Sequence, residues 1–421
     1  MKHPRFVYKN YSWKISKNNL EIFFDFEVLP DIFFKPQLTI KNINKERIKK
    51  VGEGALENFI FHLGLIELLS YWKAFCPAEI VIEAGFLNKE QLAWWRDLII
   101  RGMAQFFYEN KINWKKENFL VIKNGKRPGL VAENPIFKEE LKNRYLIPFS
   151  GGKDSIVTLE KLKNQKKEIA LFLLNPSKTA KAALKKSGVT DFIEVNRKID
   201  PKLFELNRLG YLNGHTPFTA LLSFLSAFCG VLFDYKHVVF SNEKSADEGN
   251  AEYLGSKINH QYSKTSDFER KFKAYCQKYL AKKINYFSYL RPYGELEIMG
   301  IFAKYPRYCK IFSSCNQSLK TEKKWCGSCP KCLFVYAGLY SFLGKKKMVE
   351  IFGKDLFEDR KLLPLMKDLI DLKRIKPFEC VGTKKESLKA FKLSLKKRKA
   401  ENKKEKNTSL PPLLAAIDKI K

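Results

Sequence analysis

This 421-residue chain lacks a clean apolar run of the kind that crosses a membrane. Thr216 to Phe233 has no charged side chain and approaches the roughly 20 residues that a bilayer crossing needs. Thr219, Ser223, Ser226 and Gly230 interrupt it, however, and Asp234, Tyr235 and Lys236 follow at once. It reads as a helix buried against a sheet, and no membrane insertion is expected. A secretory leader, with its apolar stretch of about 7–15 residues, is not visible either. Met1-Lys2-His3-Pro4-Arg5 leads straight into alternating polar and apolar residues, so a cytoplasmic location is expected. No internal repeat is evident. Nine cysteines, an odd number with four crowded between Cys315 and Cys332, argue against a disulfide framework. They suit metal or thiol chemistry in a reducing compartment.

Acidic residues are also scarce: 45 Asp and Glu stand against 78 Lys and Arg, a formal net charge of +33. Such an excess ordinarily points to nucleic acid. Here it is spread along the chain and is often Lys beside Asn, Ile and Phe, as AT-rich coding would give. Its densest block is the tail, Lys396-Lys397-Arg398-Lys399 to Lys403-Lys404-Glu405-Lys406, which reads as a solvated, mobile charge run. A nucleic-acid partner is not expected, whereas small anions such as nucleotides would be drawn to this field. The sequence leaves the oligomeric state open.

What is present is enough for two domains, with 45% apolar residues for a core and 14% aromatics against general disorder. Residues 1–142 open with strand-like alternation, Arg5 to Lys14 and Leu20 to Val28, broken at Asn18-Asn19. Two amphipathic helical patterns follow, about Glu53 to Lys73 and Lys89 to Tyr108, with strand-like Glu79 to Ala84 between them. This part carries no catalytic signature. It reads as an α+β accessory or substrate-selecting domain ending in the polar region Lys123 to Lys142. Residues 143–382 alternate strand-like runs (Arg144–Phe149, Glu168–Leu174, Asp191–Val195, His237–Phe240, Asn285–Leu290) with helical ones such as Ile156–Leu162 and Thr179–Lys186. That is an α/β pattern with a mainly parallel sheet. Residues 383–421 read as a Lys-rich tail or loosely held helix.

The first motif is Ser150-Gly151-Gly152-Lys153-Asp154-Ser155, directly after the apolar run Tyr145 to Phe149 and before a helical pattern. Strand, glycine turn and helix N-terminus make an anion trap, because glycines admit close backbone approach and free N–H groups meet the helix dipole. Ser150 and Ser155 add hydroxyls, and Lys153 a cation. A Walker A loop needs four residues between its first glycine and the Gly-Lys pair, and this loop is shorter. It resembles the Ser-Gly-Gly-x-Asp-Ser loop of the PP-loop ATP pyrophosphatase superfamily. That resemblance implies ATP, held by its β- and γ-phosphates, and adenylation with release of pyrophosphate. The plain alternative is a generic Gly-Gly turn.

The second motif spaces Cys315, Cys326, Cys329 and Cys332 as C-x10-C-x2-C-x2-C. Two-residue gaps turn successive sulfurs onto one centre, and four thiolates with no open position suit a structural Zn²⁺. An Fe–S cluster is the rival, and unligated core cysteines are the plain alternative. A PP-loop followed by such a knuckle, 315–332, also resembles 7-cyano-7-deazaguanine synthase, but only over the second half of the chain.

Further blocks fall in order: Phe204-Glu205-Leu206-Asn207-Arg208 with Asn213-Gly214-His215, Val239 to Ser245, Asn259 to Lys264, Phe312 to Asn316, and Lys376 to Gly382. With the two motifs they resemble the UDP-N-acetylmuramoyl-L-alanyl-L-glutamate epimerase (MurL) family over roughly residues 145 to 385. The N-terminal region is similar only in length and helical pattern, Lys244 stands where Arg is expected, and the Lys-rich tail is a departure. The resemblance implies an ATP- and Mg²⁺-dependent epimerisation of the terminal L-Glu of a UDP-linked peptidoglycan precursor. An acyl-adenylate is the implied intermediate. An adenylating ligase of the 7-cyano-7-deazaguanine synthase type and a tRNA-modifying adenylase are the alternatives.

For ATP the candidates are the six loop residues, with Asn242 and Glu243 at the carboxyl edge of the sheet for nucleotide or Mg²⁺. Cys380, His215 and His260 are the candidate acid–base groups, since each sits in a matching polar block and a thiolate in a positive environment can remove an α-proton. Arg208, Lys264 and Arg291 are candidates for UDP phosphates or carboxylates. Ordinary readings stand beside each: a polar turn for Asn242 and Glu243, structural histidines, an inert thiol, surface ion pairs.

Overall fold

The computed structural model describes residues 3–125, 135–319, 324–405 and 409–420. Part of the polar region expected over Lys123 to Lys142, and Lys406 of the tail, lie outside the described residues.

Alternation builds the first strands. In β2 (Asn19–Val28) every second side chain, Leu20, Ile22, Phe24, Phe26 and Val28, is buried. β2 pairs antiparallel with β1 (Arg5–Ser16) from Ser16↔Asn19 onwards. The two-residue turn is Lys17-Asn18, both at positive φ, the geometry whose twist matches a hairpin. Then come β3 (Ile32–Phe34), β4 (Gln37–Ile40), β5 (Glu79–Ile82), β6 (Val121–Asn124), β7 (Tyr145–Pro148), β8 (Ile169–Leu174), β9 (Phe192–Lys198) and β10 (His237–Phe240). A small hairpin, β11 (Ala251–Tyr253) and β12 (Ser256–Ile258), and β13 (Asn285–Ser288) complete the set among the described residues.

Eleven strands form one mixed, mostly parallel sheet in the order β13-β10-β7-β8-β9-β4-β2-β1-β5-β6, with β3 on β2. β13, β10, β7, β8 and β9 run parallel. β9 then meets β4 antiparallel, from Gln37↔Lys198 to Ile40↔Val195. The sheet, and the core on one of its faces, therefore run across the division at residue 142. Adjacent residues in the parallel strands enter opposite cores. Leu146, Phe172 and Val238 join Phe6, Phe59 and Phe228 in one, while Ile147, Leu171 and Val239 join Ile156, Met299 and Leu333 in the other. Such two-sided burial is the setting parallel sheets require. The uncharged stretch is the buried helix Phe218–Leu232, packed against Glu53–Glu67 and against β7 and β10. No helix among the described residues is long and apolar enough to cross a membrane.

The Lys-rich segment, expected as a tail or a loosely held helix, is a helix and is firmly docked. Lys384–Lys404 is a helix begun by a Thr383/Glu386 capping box, with Ala390 and Phe391 buried. Arg398, counted above as part of a solvated run, is buried against Asp355, and Ser394 donates to Ala337 O at 2.6 Å. Charge density hid the apolar stripe that docks this helix on Pro330–Phe352.

Candidate active site

From β7 the chain steps to β8 and β9 on one side, then returns to β10 and β13 on the other. The strand order reverses between β7 and β10, and at such a switch point the carboxyl ends of the strands leave a crevice. The loop Ser150-Gly151-Gly152 lies at the end of β7, and Asn242 and Glu243 at the end of β10. Gly151 has φ +77, and a Cβ there would stand 3.1 Å from Thr179 O and 3.2 Å from Ala180 Cα, so no side chain fits the turn. Gly152 is the N-cap of Lys153–Asn164 and offers no capping side chain, which leaves first-turn amides open to an anion. Ser150 is exposed beside them. The Ser155 hydroxyl donates instead to Gly152 O at 3.1 Å and braces the turn. Ser314 Oγ lies 3.3 Å from where a Cβ on Gly152 would sit, so the Phe312 to Asn316 block adjoins the loop.

Lys153 is placed differently from the free cation expected of it. Its side chain is 0% exposed, 2.5 Å from Asp154 Oδ1 and ion-paired with Glu295, itself 1% exposed. Burial works against the ammonium, but Asp154 and Glu295 outweigh it and hold its pKa above the ordinary lysine value. Burial pushes the Glu295 carboxyl up, to about 6, with Asp154 adding to it and Lys153 and Lys331 opposing. Lys331 Nζ lies 4.0 Å from Glu295 and donates to the carbonyl of Cys380. Neither Glu295 nor Lys331 stood out in the sequence. Glu295 shares its short helix with Glu297, and Lys331 lies inside the cysteine motif without being one of its sulfur ligands, so neither is marked out by its neighbours.

That chain of charges ends at Cys380. Lys264 Nζ donates to its Sγ at 3.3 Å, and His260 Nε2 lies 3.9 Å from it. Burial alone would raise the thiol, yet Lys264, His260 and Lys331 reverse this and bring it down to about 5. These cations favour the thiolate over the thiol. His215 stacks near His260, ring centroids 4.7 Å apart, and is held neutral, down to about 3, by burial and by His260, Lys73 and Lys264. On the far side His260 Nδ1 contacts Gln105 Oε1, from the helix Ala104–Glu109 of the N-terminal part. Asn316 Nδ2 donates to Glu379 Oε2 at 2.7 Å, a second polar route from the loop to Cys380.

The candidate anion-binding cations fare unevenly. Lys264 is committed to Cys380. Arg291 donates to Glu243 O at 2.9 Å and Lys264 O at 2.8 Å and pairs with Glu269 at 2.6 Å, so it clamps two site residues in place. Arg208 is exposed at the end of Pro201–Arg208 and is not tied to the others. Asn242 donates to Ser288 Oγ at 3.0 Å, linking the ends of β10 and β13.

The four cysteines converge, with all sulfurs of Cys315, Cys326, Cys329 and Cys332 within 4.8 Å of one another. Cys315–Cys329 and Cys326–Cys332 are 3.9 and 3.6 Å apart. A tetrahedron with Zn–S bonds of about 2.3 Å has edges of about 3.8 Å, so the set fits such an ion. Backbone amides of Ser328 and Cys332 point at Cys326 and Cys329 sulfur, as charge on thiolates requires. Elemental analysis of the purified chain is expected to show a single equivalent of zinc. Its loss in Cys329→Ser should cost on the order of several kcal/mol of stability in denaturant melts. Visible-range absorbance of an Fe–S cluster, or no metal at all, would overturn this.

The sequence matches two adjoining family models, the MurL N-terminal domain over residues 1–289 and the MurL C-terminal domain over 311–415. The chain belongs to the MurL family. Similar relatives include proteins named UDP-N-acetyl-alpha-D-muramoyl-L-alanyl-L-glutamate epimerase from Xanthomonas oryzae pv. oryzae and a Micromonospora species. The first is 34% identical over 339 residues and the second 35% over 337, each covering 79% of this chain and 73% of the relative. One from Salinispora tropica, with the same name, is 34% identical over 334 residues, 79% and 72% of the two chains. The MurL matches begin at residue 1 and run to 415, so they take in both the N-terminal region and the Lys-rich helix, which motif blocks alone had left outside. Those regions hold Gln105 and Glu386, and Glu386 accepts from Glu295 N at 2.7 Å and Ser245 Oγ at 2.6 Å.

Proposed function

We propose that this MurL-family protein is a cytoplasmic epimerase that inverts the terminal glutamate of UDP-N-acetylmuramoyl-L-alanyl-L-glutamate, consuming ATP. The observation that carries the reading is a thiol, Cys380, held by Lys264 and near His260 and joined by short polar chains to a glycine turn of the PP-loop kind. Removing an α-proton beside an ionised carboxylate would build a dianion. A carboxylate oxygen of the glutamate therefore first attacks the α-phosphorus of ATP, and pyrophosphate leaves. Open amides at Gly151 to Asp154 receive the triphosphate tail. Asp154 and Glu243 are the hard oxygen donors that would hold Mg²⁺, which neutralises phosphate charge.

Once the carboxylate is an acyl-adenylate, the Cys380 thiolate takes the α-proton. The C–H bond breaks, an S–H bond forms, and the electron pair moves into the activated carbonyl. Solvent delivers a proton to the other face and inverts the centre, the Cys380 thiol gives its proton up to solvent, and water cleaves the anhydride to AMP and the D-Glu product. Lys264 stabilises the sulfur anion before the transfer, and neutral His215 limits positive charge beside it.

The test incubates the purified chain with ATP, Mg²⁺ and the L-Glu precursor in deuterated water. Deuterium at the glutamate α-carbon, D-Glu and AMP together are expected. AMP with neither label nor inversion would end the proposal, as an ammonia requirement would in favour of a ligase.

A further inference from the structure

Gln105 touches the candidate acid–base cluster from the N-terminal half of the chain, where sequence reasoning found no catalytic signature. Its amide is 8% exposed and lies between two partners. On one side Nε2 donates to Glu109 Oε1 at 2.8 Å, an i,i+4 pair on Ala104–Glu109. On the other, Oε1 contacts His260 Nδ1. A carboxylate only accepts hydrogen bonds, so Glu109 requires the NH₂ end of the amide. The oxygen end must then face His260, and a carbonyl oxygen can only be met by an N–H. Nδ1 is thereby the protonated nitrogen, and the lone pair of Nε2 points to Cys380 Sγ, 3.9 Å away.

We infer that Gln105, oriented by Glu109, is a positioning residue that fixes His260 as its Nδ1–H tautomer, so that Nε2 receives the proton of Cys380. The transfer breaks S–H and forms N–H, leaving a thiolate beside Lys264, while Nδ1–H keeps its acceptor. A third group aligning an imidazole for its nucleophile or base is a recurring solution, recognised by roles and geometry. It enters here from the opposite half of the fold, because the β4–β9 pairing joins the two halves. The inference rests on the reading of Cys380 as the base. Its test is chosen to need neither ATP nor the precursor.

Charged and titratable groups around the sulfur are Lys264, Lys331, His260, His215 and Glu379. None of them is altered in the labelling variants. Iodoacetamide labelling of Cys380 at neutral pH, followed by mass spectrometry, should slow about tenfold in Gln105→Leu, as loss of a supporting partner typically does. Gln105→Glu, which still accepts from Nδ1, should label like the parent. Glu109 is exposed, so Glu109→Lys leaves the fold intact. A lysine donor there turns the Gln105 oxygen towards itself and presents NH₂ to His260. Labelling should slow again, although an added cation acting only through its field would speed it. ¹⁵N-histidine spectra, with His260 assigned by its loss in His260→Gln, should show Nδ1 protonated in the parent and unprotonated in Glu109→Lys.

Parental labelling rates in Gln105→Leu, or an unprotonated Nδ1 in the parent spectrum, would overturn the inference. An inactive parent that labels as described would instead count against the epimerase reading alone.

Discussion

Cys380→Ser is expected to lower epimerisation by about a thousandfold, within the ~10²–10⁴ that a positioned base contributes, while ATP is still cleaved to AMP. A hydroxyl beside Lys264 stays protonated at neutral pH, so the α-proton has no acceptor, whereas the glycine turn lies at the end of β7, on a separate segment, and is untouched. Pyrophosphate exchange into ATP, dependent on the precursor, should persist in the variant and so separate the two steps. The parent adds a pH signature. The active form is the thiolate, so activity is present above the thiol pKa of about 5 and lost as pH falls through it. Serine removes that acid limb. Equal loss of exchange and epimerisation, or an unchanged acid limb, would show that the thiol is not the base.

Lys153→Met should be the most destabilising single change at the site. The ammonium is fully buried between Asp154 and Glu295, and removing one partner of a buried pair costs about 3–5 kcal/mol because the remaining charge loses its compensation. Glu295→Leu should cost a similar amount, since it leaves the buried Lys331 without its carboxylate and Lys153 with Asp154 alone. The double replacement should recover much of the loss, because two uncompensated charges disappear together. Urea melts of the four proteins form the cycle. Additive losses would mean that the pair does not act as a unit. A Lys153 reserved for phosphate would give a different pattern: near-parental stability with weak nucleotide binding.

Much of the architecture was written in periodicity. Period-2 alternation placed β2, and short apolar runs placed β7, β8 and β10 within a residue or two, since strands buried on both faces admit little else. The glycine turn was legible because only glycine fits at Gly151. The cysteine knuckle was legible because four sulfurs at those spacings are rare outside a metal centre. Long-range pairing was not. Nothing local in Gln37–Ile40 says that it closes onto β9, so the two halves looked separable. Charge misled in both directions. Arg398 and the Lys-rich run hid a docked helix, while Lys153, Lys264 and Arg291 looked free to bind anions and instead hold, respectively, Glu295, Cys380 and the backbones of Glu243 and Lys264. Gln105 and Glu295 had no sequence signal at all, because their meaning lies in partners 155 and 142 positions away.

The antiparallel seam between β4 and β9 bears on how the molecule comes into being. A ribosome releases Gln37–Ile40 long before Phe192–Lys198, so the early strand waits with a bare hydrogen-bonding edge, the kind that recruits stray chains. Polypeptide cut at residue 142 would keep that liability in both pieces. Gln105 and His260 come from the two sides of that seam, so a nascent chain that has yet to release His260 carries no aligned imidazole, and reactivity waits for both halves to be made.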